Sequence, residues 1–182
     1  MKVLLAGTNH GFLDHMAQIL ASKVEETRQA TNEIELEACL ADGTDVVLLD
    51  LFDLKARGIR FMKRIKEVLP STQIICFIPK GEIKLSISAM RHGAFDELQS
   101  PFSWPAFLSK LEAAGQEKAR QDTKQGFWRS MEDHLVAGSL AQIAGPDFGR
   151  DWLQERRKSQ VRTKISPPSF KTRLRSGQKE EK

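Results

Sequence analysis

The segment VVLLDLFD, residues 46–53, places Asp50 directly after four aliphatic residues and adds a second carboxylate at Asp53. A continuous aliphatic run of this length is typical of a strand that is covered on both faces. A carboxylate at its end would lie at the open edge of a sheet. There it could be a reactive carboxylate, or simply a solvated acid in a loop.

Other candidate sites in the sequence are weaker. The segment AGTNHGF (6–12) could be a glycine-rich phosphate loop before a helix. It lacks both the G-x-G-x-x-G spacing and a Lys-Ser/Thr pair. His10 and His15 have no matched carboxylate or cysteine, and no nucleophile–base set with a known local signature occurs. The sequence therefore favours a protein that is not an enzyme and needs no cofactor.

The two cysteines and the lack of long apolar runs indicate the compartment. Cys39 and Cys76 lie in apolar periodic segments without metal-ligand spacing, so we expect them to be reduced, buried and inert. No apolar run approaches the roughly 20 residues that a membrane span needs. The first apolar segment is too short for a secretory signal and is typical of a first strand. These features predict a cytoplasmic protein without a membrane partner.

The elements that would position Asp50 alternate between apolar runs and helical periods. The strands are predicted at 3–6, 24–30, 46–49, 73–78 and 95–98, and the helices at 12–20, 33–40, 59–69, 83–92 and from 104 onwards. Asn32 can cap the second of these helices. This alternation predicts an α/β fold with a five-stranded parallel sheet and helices on both faces. Asp50 would then lie at the carboxyl edge of the sheet, where such folds have their functional crevice.

Residues 1–114 resemble the receiver domain of two-component response regulators, which has a flavodoxin-like fold. The blocks that carry the resemblance, in order and with the spacing of that family, are MKVLLAG, VVLLDL, GIRFMKRIKEVLP, QIICFI, and AMRHGAFDEL followed by SPF. The resemblance implies phosphoryl transfer from a histidine kinase to an aspartate, with Mg²⁺ bound nearby.

Within that resemblance, Asp50 matches the phospho-acceptor position, but the other positions of the active constellation hold different residues. The family's acidic pair after the first strand corresponds to Gly7 and Thr8, and its hydroxyl residue at the end of the fourth strand corresponds to Ile78. Its lysine before the Pro-Phe pair corresponds to Ser100, and its aromatic switch residue corresponds to Glu97. Phosphoryl transfer depends on positioning and on neutralising charge, and Mg²⁺ needs carboxylate ligands. We therefore expect an atypical receiver in which Asp50 is not efficiently phosphorylated, with Mg²⁺ required only if it is.

The charge is divided unevenly along the chain. Residues 1–149 contain 17 Lys and Arg against 20 Asp and Glu, a net −3, whereas residues 150–182 contain 11 against 4, a net +7. The last segment also contains a Pro-Pro pair, serines and many charged residues. The charge division and this composition predict a receiver-like domain at 1–114, a helical extension at 115–160 and a basic, disordered tail at 161–182. Any binding of the basic part to nucleic acid should be non-specific.

An apolar stripe at helical spacing runs through the extension. Its members are Phe127, Met131, Leu135, Val136, Leu140 and Ile143. It could pack on the receiver's own surface, or be buried in a partner or a second copy. The segment GPDFG (145–149) is predicted to break the helix before a short basic helix, RDWLQERRKSQ. Ala141 and Gly145 have the offset of a helix-turn-helix motif, but Pro146 and the polar residues that follow argue against that alternative.

The sequence as a whole predicts an atypical receiver module that signals through protein–protein contacts. The candidate partners are a histidine kinase and a second copy of the chain. In the receiver family, the face formed by the fourth helix, fifth strand and fifth helix carries dimer and partner contacts. By resemblance this face would include Arg91, Glu97 and Lys110. The alternatives are a phospho-accepting regulator that uses Asp50 and a DNA-binding regulator that uses the basic C-terminal helices.

Overall fold

Five parallel strands form one sheet in the order β2-β1-β3-β4-β5. The computed structural model describes residues 1–165, apart from the side chains at 140, 143, 144, 146, 148 and 159–165. The strands are β1 (Lys2–Ala6), β2 (Glu26–Ala30), β3 (Val46–Asp50), β4 (Gln73–Pro79) and β5 (Asp96–Ser100). The predicted α/β architecture with a parallel five-stranded sheet is confirmed.

The helices alternate with the strands and continue beyond them. They are α1 (His10–Leu20), α2 (Glu33–Ala41), α3 (Leu51–Val68), α4 (Ile83–Arg91), α5 (Trp104–Ala144) and α6 (Pro146–Ile165). Asn9 caps α1, since its Oδ1 accepts the N–H of Phe12 at 3.0 Å. Asn32 caps α2 in the same way, as predicted, by accepting the N–H of Glu35 at 3.0 Å.

The sheet separates two hydrophobic core clusters, and β3 contributes to both. Val47 and Leu49 belong to the cluster that contains residues of α2, α3 and α4. Val46 and Leu48 belong to the cluster that contains residues of α1 and α5. All five residues of β3 are buried, which explains the unbroken aliphatic run in the sequence. Burying each of the four aliphatic side chains of β3 contributes roughly 1.5–3 kcal/mol to folding.

Helix α3 starts earlier than the sequence indicates. The periodicity predicts a helix from Ile59, but α3 begins at Leu51 and contains a non-helical residue, Lys55, with φ 43° and ψ −120°. The first turn departs from the later periodicity because this kink separates it from the rest. Gly58 permits close packing there, since a Cβ at this position would lie 2.2 Å from Cδ2 of Leu51.

The first compact unit extends from Met1 to Phe127 and so ends beyond residue 114. The polar segment after Gly115 continues α5 instead of forming a linker. Two hydrogen bonds connect this part of α5 to the start of β4. Ser71 donates to Asp122 at 2.8 Å, and Gln73 donates to Gln121 at 3.1 Å.

The second unit begins at Trp128 and contains the end of α5 together with α6. Gly149 packs closely against α5, because a Cβ there would lie 2.5 Å from the carbonyl oxygen of Ala137. Arg156 forms an ion pair with Asp133 at 2.8 Å, and its guanidinium lies 5.1 Å from the centre of the Trp152 ring. These contacts join the two helices within the unit.

The predicted break at residues 145–149 is much shorter in the structure. Only Gly145 interrupts the helices, with φ +99°, and Pro146 is the first residue of α6. Proline suits the first helical position because its missing N–H would have no partner there. Residues 161–165 of the predicted tail belong to α6, and the rest of that tail lies outside the described residues.

The apolar stripe is largely exposed where its side chains are described. Phe127 and Leu135 are 63% and 64% exposed, and Met131 and Val136 are also exposed. The side chains of its last two members are not described.

Among the described helices, none combines the length and apolar character required to cross a membrane.

The two cysteines differ in burial. Cys76 in β4 is fully buried, and Cys39 in α2 is partly buried. Burial raises the pKa of the Cys76 thiol to about 12, with a smaller contribution from the charge of Glu97. The sulfur of Cys76 lies 3.8 Å from that of Met62. Burial also raises the pKa of Cys39.

Candidate functional site

Asp50 lies at the centre of the carboxyl edge of the sheet. It is the last residue of β3, the middle strand, and it also caps α3. Its Oδ1 accepts the N–H of Phe52 at 2.9 Å. The residue is only 4% exposed. One oxygen of the carboxylate therefore stabilises the helix end, and the group as a whole is largely withdrawn from water.

The surroundings of Asp50 disfavour its charged form. Burial raises the pKa of the carboxyl above its usual range, and the nearby charge of Asp53 raises it further. The hydrogen bond from Phe52 acts in the opposite direction and lowers the pKa. Desolvation is the largest of these effects, and a cation that could offset it is not among the causes of the shift.

A cavity of about 250 Å³ opens beside Asp50. Its walls combine two carboxylates, an amide, a hydroxyl and four aromatic rings, from Asn9, Phe12, Asp50, Phe52, Asp53, Phe77, Ser100 and Phe102. No lysine or arginine is among these lining residues. The lining of the cavity therefore combines acidic and aromatic side chains.

The aromatic walls were not anticipated from the sequence. Phe77 is paired with Asp50 across β3 and β4. Its ring centre lies 5.1 Å from that of Phe12 and 5.4 Å from that of Phe102. The register of the two strands could have indicated Phe77 as a neighbour of Asp50, but the convergence of Phe12 and Phe102 depends on tertiary packing.

The positions that the resemblance equates with the active residues of receiver domains differ in their surroundings. Gly7 is buried, and a Cβ there would lie 2.9 Å from Cβ of Asp50. Thr8 is exposed and donates a long 3.5 Å hydrogen bond to Asp53. Ile78 is fully buried in the core cluster of α2, α3 and α4. Of these four positions, only Ser100 lines the cavity.

The residues at this edge are a poor match for a Mg²⁺ site. Among the described residues, no group of three or more histidine, cysteine, aspartate or glutamate side chains is arranged to hold a metal ion. One oxygen of Asp50 already accepts a hydrogen bond from the backbone. The amide oxygen of Asn9 is likewise engaged in capping α1. Few free oxygen ligands remain for a hard cation.

The three residues of the expected partner face come from neighbouring elements. Arg91 is exposed in the last turn of α4. Glu97 in β5 accepts a hydrogen bond from the Ser86 hydroxyl of α4. Lys110 in α5 forms an ion pair with Asp96 of β5 at 2.6 Å. Side-chain contacts thus connect β5 to a helix on each side.

The two histidines noted in the sequence do not line the Asp50 cavity. His10 is the first residue of α1. The ring of His15 lies 6.4 Å from that of Trp104, centre to centre. The structure does not bring them together with Asp50 as a catalytic group.

Comparison with known proteins finds no matching family model, but it finds individual relatives. The chain is 27% identical over 113 residues to the DNA-binding transcriptional regulator NtrC of Azospirillum brasilense. The matched stretch covers 62% of this chain and 24% of that protein. It is also 27% identical to NtrC of Proteus hauseri over 118 residues, 63% of this chain and 25% of that protein. The chain therefore spans about a quarter of the length of the curated relatives it matches.

Solved structures show the same likeness. The receiver domain of NtrX from Brucella abortus is 27% identical with a TM-score of 0.57, over 63% of this chain and 98% of that domain. The beryllofluoride-activated NtrC4 receiver domain dimer is 24% identical with a TM-score of 0.58, over 64% of this chain and 98% of that chain. The match covers these domains almost completely.

Proposed function

We propose that this chain, whose N-terminal unit is a receiver domain of the response-regulator type, signals through protein–protein contacts without efficient phosphorylation of Asp50. The relatives and solved structures support a place in two-component signalling. The further step, that Asp50 does not work as a phospho-acceptor, is based on the cavity beside it. We also propose that the chain is not itself an enzyme.

The observation that carries the proposal is the absence of a positive charge among the residues that line this cavity. A phosphoryl group on Asp50 would bring about −1.5 to −2 charges next to Asp53. Phosphoryl transfer is catalysed mainly by neutralising that developing charge. Aromatic walls supply no such neutralisation, and burial already disfavours even the single charge of Asp50.

The face formed by α4, β5 and α5 supports a role in protein contacts. The Ser86–Glu97 hydrogen bond connects α4 to β5, and the Lys110–Asp96 ion pair connects α5 to β5. Both hold this face in one arrangement without any modification of Asp50. Arg91 is exposed beside it and available to a partner. We propose this face as the contact site for a histidine kinase or for a second copy of the chain.

The basic part of the chain favours non-specific binding to nucleic acid over a helix-turn-helix. Only Gly145 separates α5 from α6, whereas a helix-turn-helix has a turn of three to four residues. The described part of the second unit consists of these two helices alone. Residues 150–182 nevertheless carry a net +7, which attracts any polyanion.

The experiment that tests the proposal is reaction with acetyl phosphate and Mg²⁺, followed by intact-mass measurement. We expect the mass of the full chain to remain unchanged while a phosphorylatable receiver domain in the same tube gains a phosphoryl group. Asp50→Asn and Asp53→Asn variants identify the site if a gain occurs. A stable gain that Asp50→Asn abolishes would make the chain a phospho-accepting regulator.

The contact face has a separate test. Sedimentation velocity over a range of concentrations detects self-association, and Arg91→Glu should weaken it because this charge is exposed on the proposed face. Lys23→Glu is the matched control, since Lys23 is an exposed cation outside α4, β5 and α5. Equal loss of association in both variants would point to net charge and not to this face.

A further inference from the structure

The first unit has a second described cavity, which is lined by residues of α3 and α4. It is an open groove of about 550 Å³ between α3 and the start of α4. Its volume is within the range of ligand sites in proteins. Its apolar part includes Leu51, Phe52, Ile59 and Leu85. Phe52 is 36% exposed there, so an apolar side chain that entered the groove would remove apolar surface from water.

The rim of this groove is strongly basic. Lys55, Arg60 and Lys63 from α3 and Lys84 from α4 line it, against a single acid, Glu82. None of the four cations forms an ion pair within the part of the chain that the structure describes. Arg64 on the same helix differs, because it pairs with both Glu37 and Glu67. Three of the five α3 cations without an ion pair to a described residue therefore line the groove.

The backbone at Lys55 is also unusual. Lys55 has φ 43° in the kink of α3, a conformation that is strained for a non-glycine residue. Strained residues of this kind concentrate at functional sites. Here the strained residue is one of the four cations that line the groove.

We propose that this groove binds an acidic amphipathic helix of a protein partner. The unpaired cations complement acidic side chains, and the apolar floor accepts the apolar residues that such a helix presents at positions i, i+3, i+4 and i+7. A nucleic-acid backbone would satisfy the cations but leave the floor of Phe52, Ile59 and Leu85 without an apolar partner. The chemistry of the groove therefore favours a protein helix over a nucleic acid.

This site shares α4 with the proposed partner face, because Lys84, Leu85 and Ser88 line the groove, but its other wall is α3, and it does not require Asp50 to be phosphorylated. It gives the receiver domain a second docking surface. Failure of the phosphorylation proposal would leave the groove unaffected, because the two experiments measure different quantities.

The test uses the full chain and a fluorescein-labelled helical peptide with Leu at i, i+3, i+4 and i+7 and Glu elsewhere. Fluorescence anisotropy should show binding that weakens about tenfold or more in an Arg60→Glu, Lys63→Glu double variant, since two attractions become repulsions. The matched control is Lys23→Glu with Lys124→Glu, which makes the same change in net charge at exposed positions outside the groove. This control should bind as the unmodified chain does.

Two further probes distinguish a protein helix from a nucleic acid as the molecule that binds the groove. A peptide in which Ser replaces Leu keeps its charge but should bind at least tenfold more weakly, because it has nothing to place on the apolar floor. A short DNA duplex should bind the groove variant and the matched control equally, because the two carry the same net charge.

The proposal is overturned by any of four results. These are absence of peptide binding, equal weakening in both double variants, equal affinity of the Leu and Ser peptides, and a loss of duplex binding specific to the groove variant. The last result would assign the groove to nucleic acid. Circular dichroism of each variant establishes that the fold is retained.

Discussion

Replacing Asp50 by asparagine should stabilise the receiver domain at neutral pH. Asparagine is as good a helix cap as aspartate, so its amide oxygen can still accept the N–H of Phe52. The substitution removes a charge from a residue that is 4% exposed and whose pKa is raised by burial. The cap is retained and the unfavourable buried charge is lost.

The expected gain is about 1 kcal/mol. Burying a neutral polar group without full compensation costs roughly 1–3 kcal/mol in mutational data, and a charged group costs more. Here one hydrogen bond already offsets part of that cost. Asp50→Ala should fall below Asp50→Asn by a further 0.5–2 kcal/mol, roughly, because alanine has no acceptor for the Phe52 N–H.

The stabilisation by Asp50→Asn should depend on pH in a defined direction. The folded-state pKa of Asp50 lies above its unfolded value, so the folded state holds the proton more tightly. The stability of the unmodified chain therefore falls as pH rises from the unfolded pKa, about 4, through the folded pKa. The asparagine variant lacks this loss, so its advantage should be smallest below about pH 4 and reach a plateau near neutrality.

The assay is urea unfolding followed by the fluorescence of Trp104, with Trp128 and Trp152 replaced by phenylalanine in every variant. Trp104 reports on the first unit, since its ring packs 5.7 Å from that of Phe107. Asp53→Asn is the control, and it should lose a few tenths of a kcal/mol, because an acid in the first turn of α3 favours the helix. Destabilisation by Asp50→Asn, or an advantage that does not shrink in acid, would refute the reasoning.

Three other outcomes are expected. Truncation after Phe127 should leave a domain that melts cooperatively. Truncation after Ala114 should give a domain whose unfolding free energy is about 1–3 kcal/mol lower, because the hydrogen bonds of Asp122 and Gln121 to Ser71 and Gln73 are lost. Equal stability of the two truncated chains in thermal melts would contradict this prediction. Lys110→Ala should cost no more than about 1 kcal/mol in urea unfolding, because the ion pair with Asp96 is partly exposed. Duplex DNA binding through residues 150–182 should collapse between low and physiological salt and show no sequence preference; a complex that survives salt and an unlabelled random competitor would support the DNA-binding alternative.

The parts of the fold set by local chemistry could be predicted from the sequence. The cap at Asn32 formed as expected because a side-chain oxygen and the helix N–H groups are neighbours along the chain. The buried run of β3 could be recognised because both faces of a central strand are covered. Gly93 follows the end of α4 with φ 89°, a conformation that glycine adopts readily.

Features that depend on distant packing could not be predicted. The start of α3 at Leu51 was missed because Lys55 interrupts the helical period. From the sequence, the polar segment after Gly115 could continue the fifth helix or act as a linker. Contacts with Ser71 and Gln73, far away in the sequence, support the continuation. At the site, Asp50 and its position at the sheet edge followed from the pattern. The aromatic walls of its cavity arise from α1, β4 and the segment after β5, which only the tertiary fold brings together.

The burial of Cys76 makes the reactivity of this thiol a measure of how often the sheet opens. The thiolate is the reactive form, and a thiol with a pKa of about 12 and no exposed surface has almost none. An alkylating reagent can therefore reach it only when β4 separates from its neighbours. In a Cys39→Ser background, the alkylation rate divided by that of a free thiol gives the equilibrium for that opening under native conditions. The alkylation of Cys76 thus reports the stability of the first unit without denaturant.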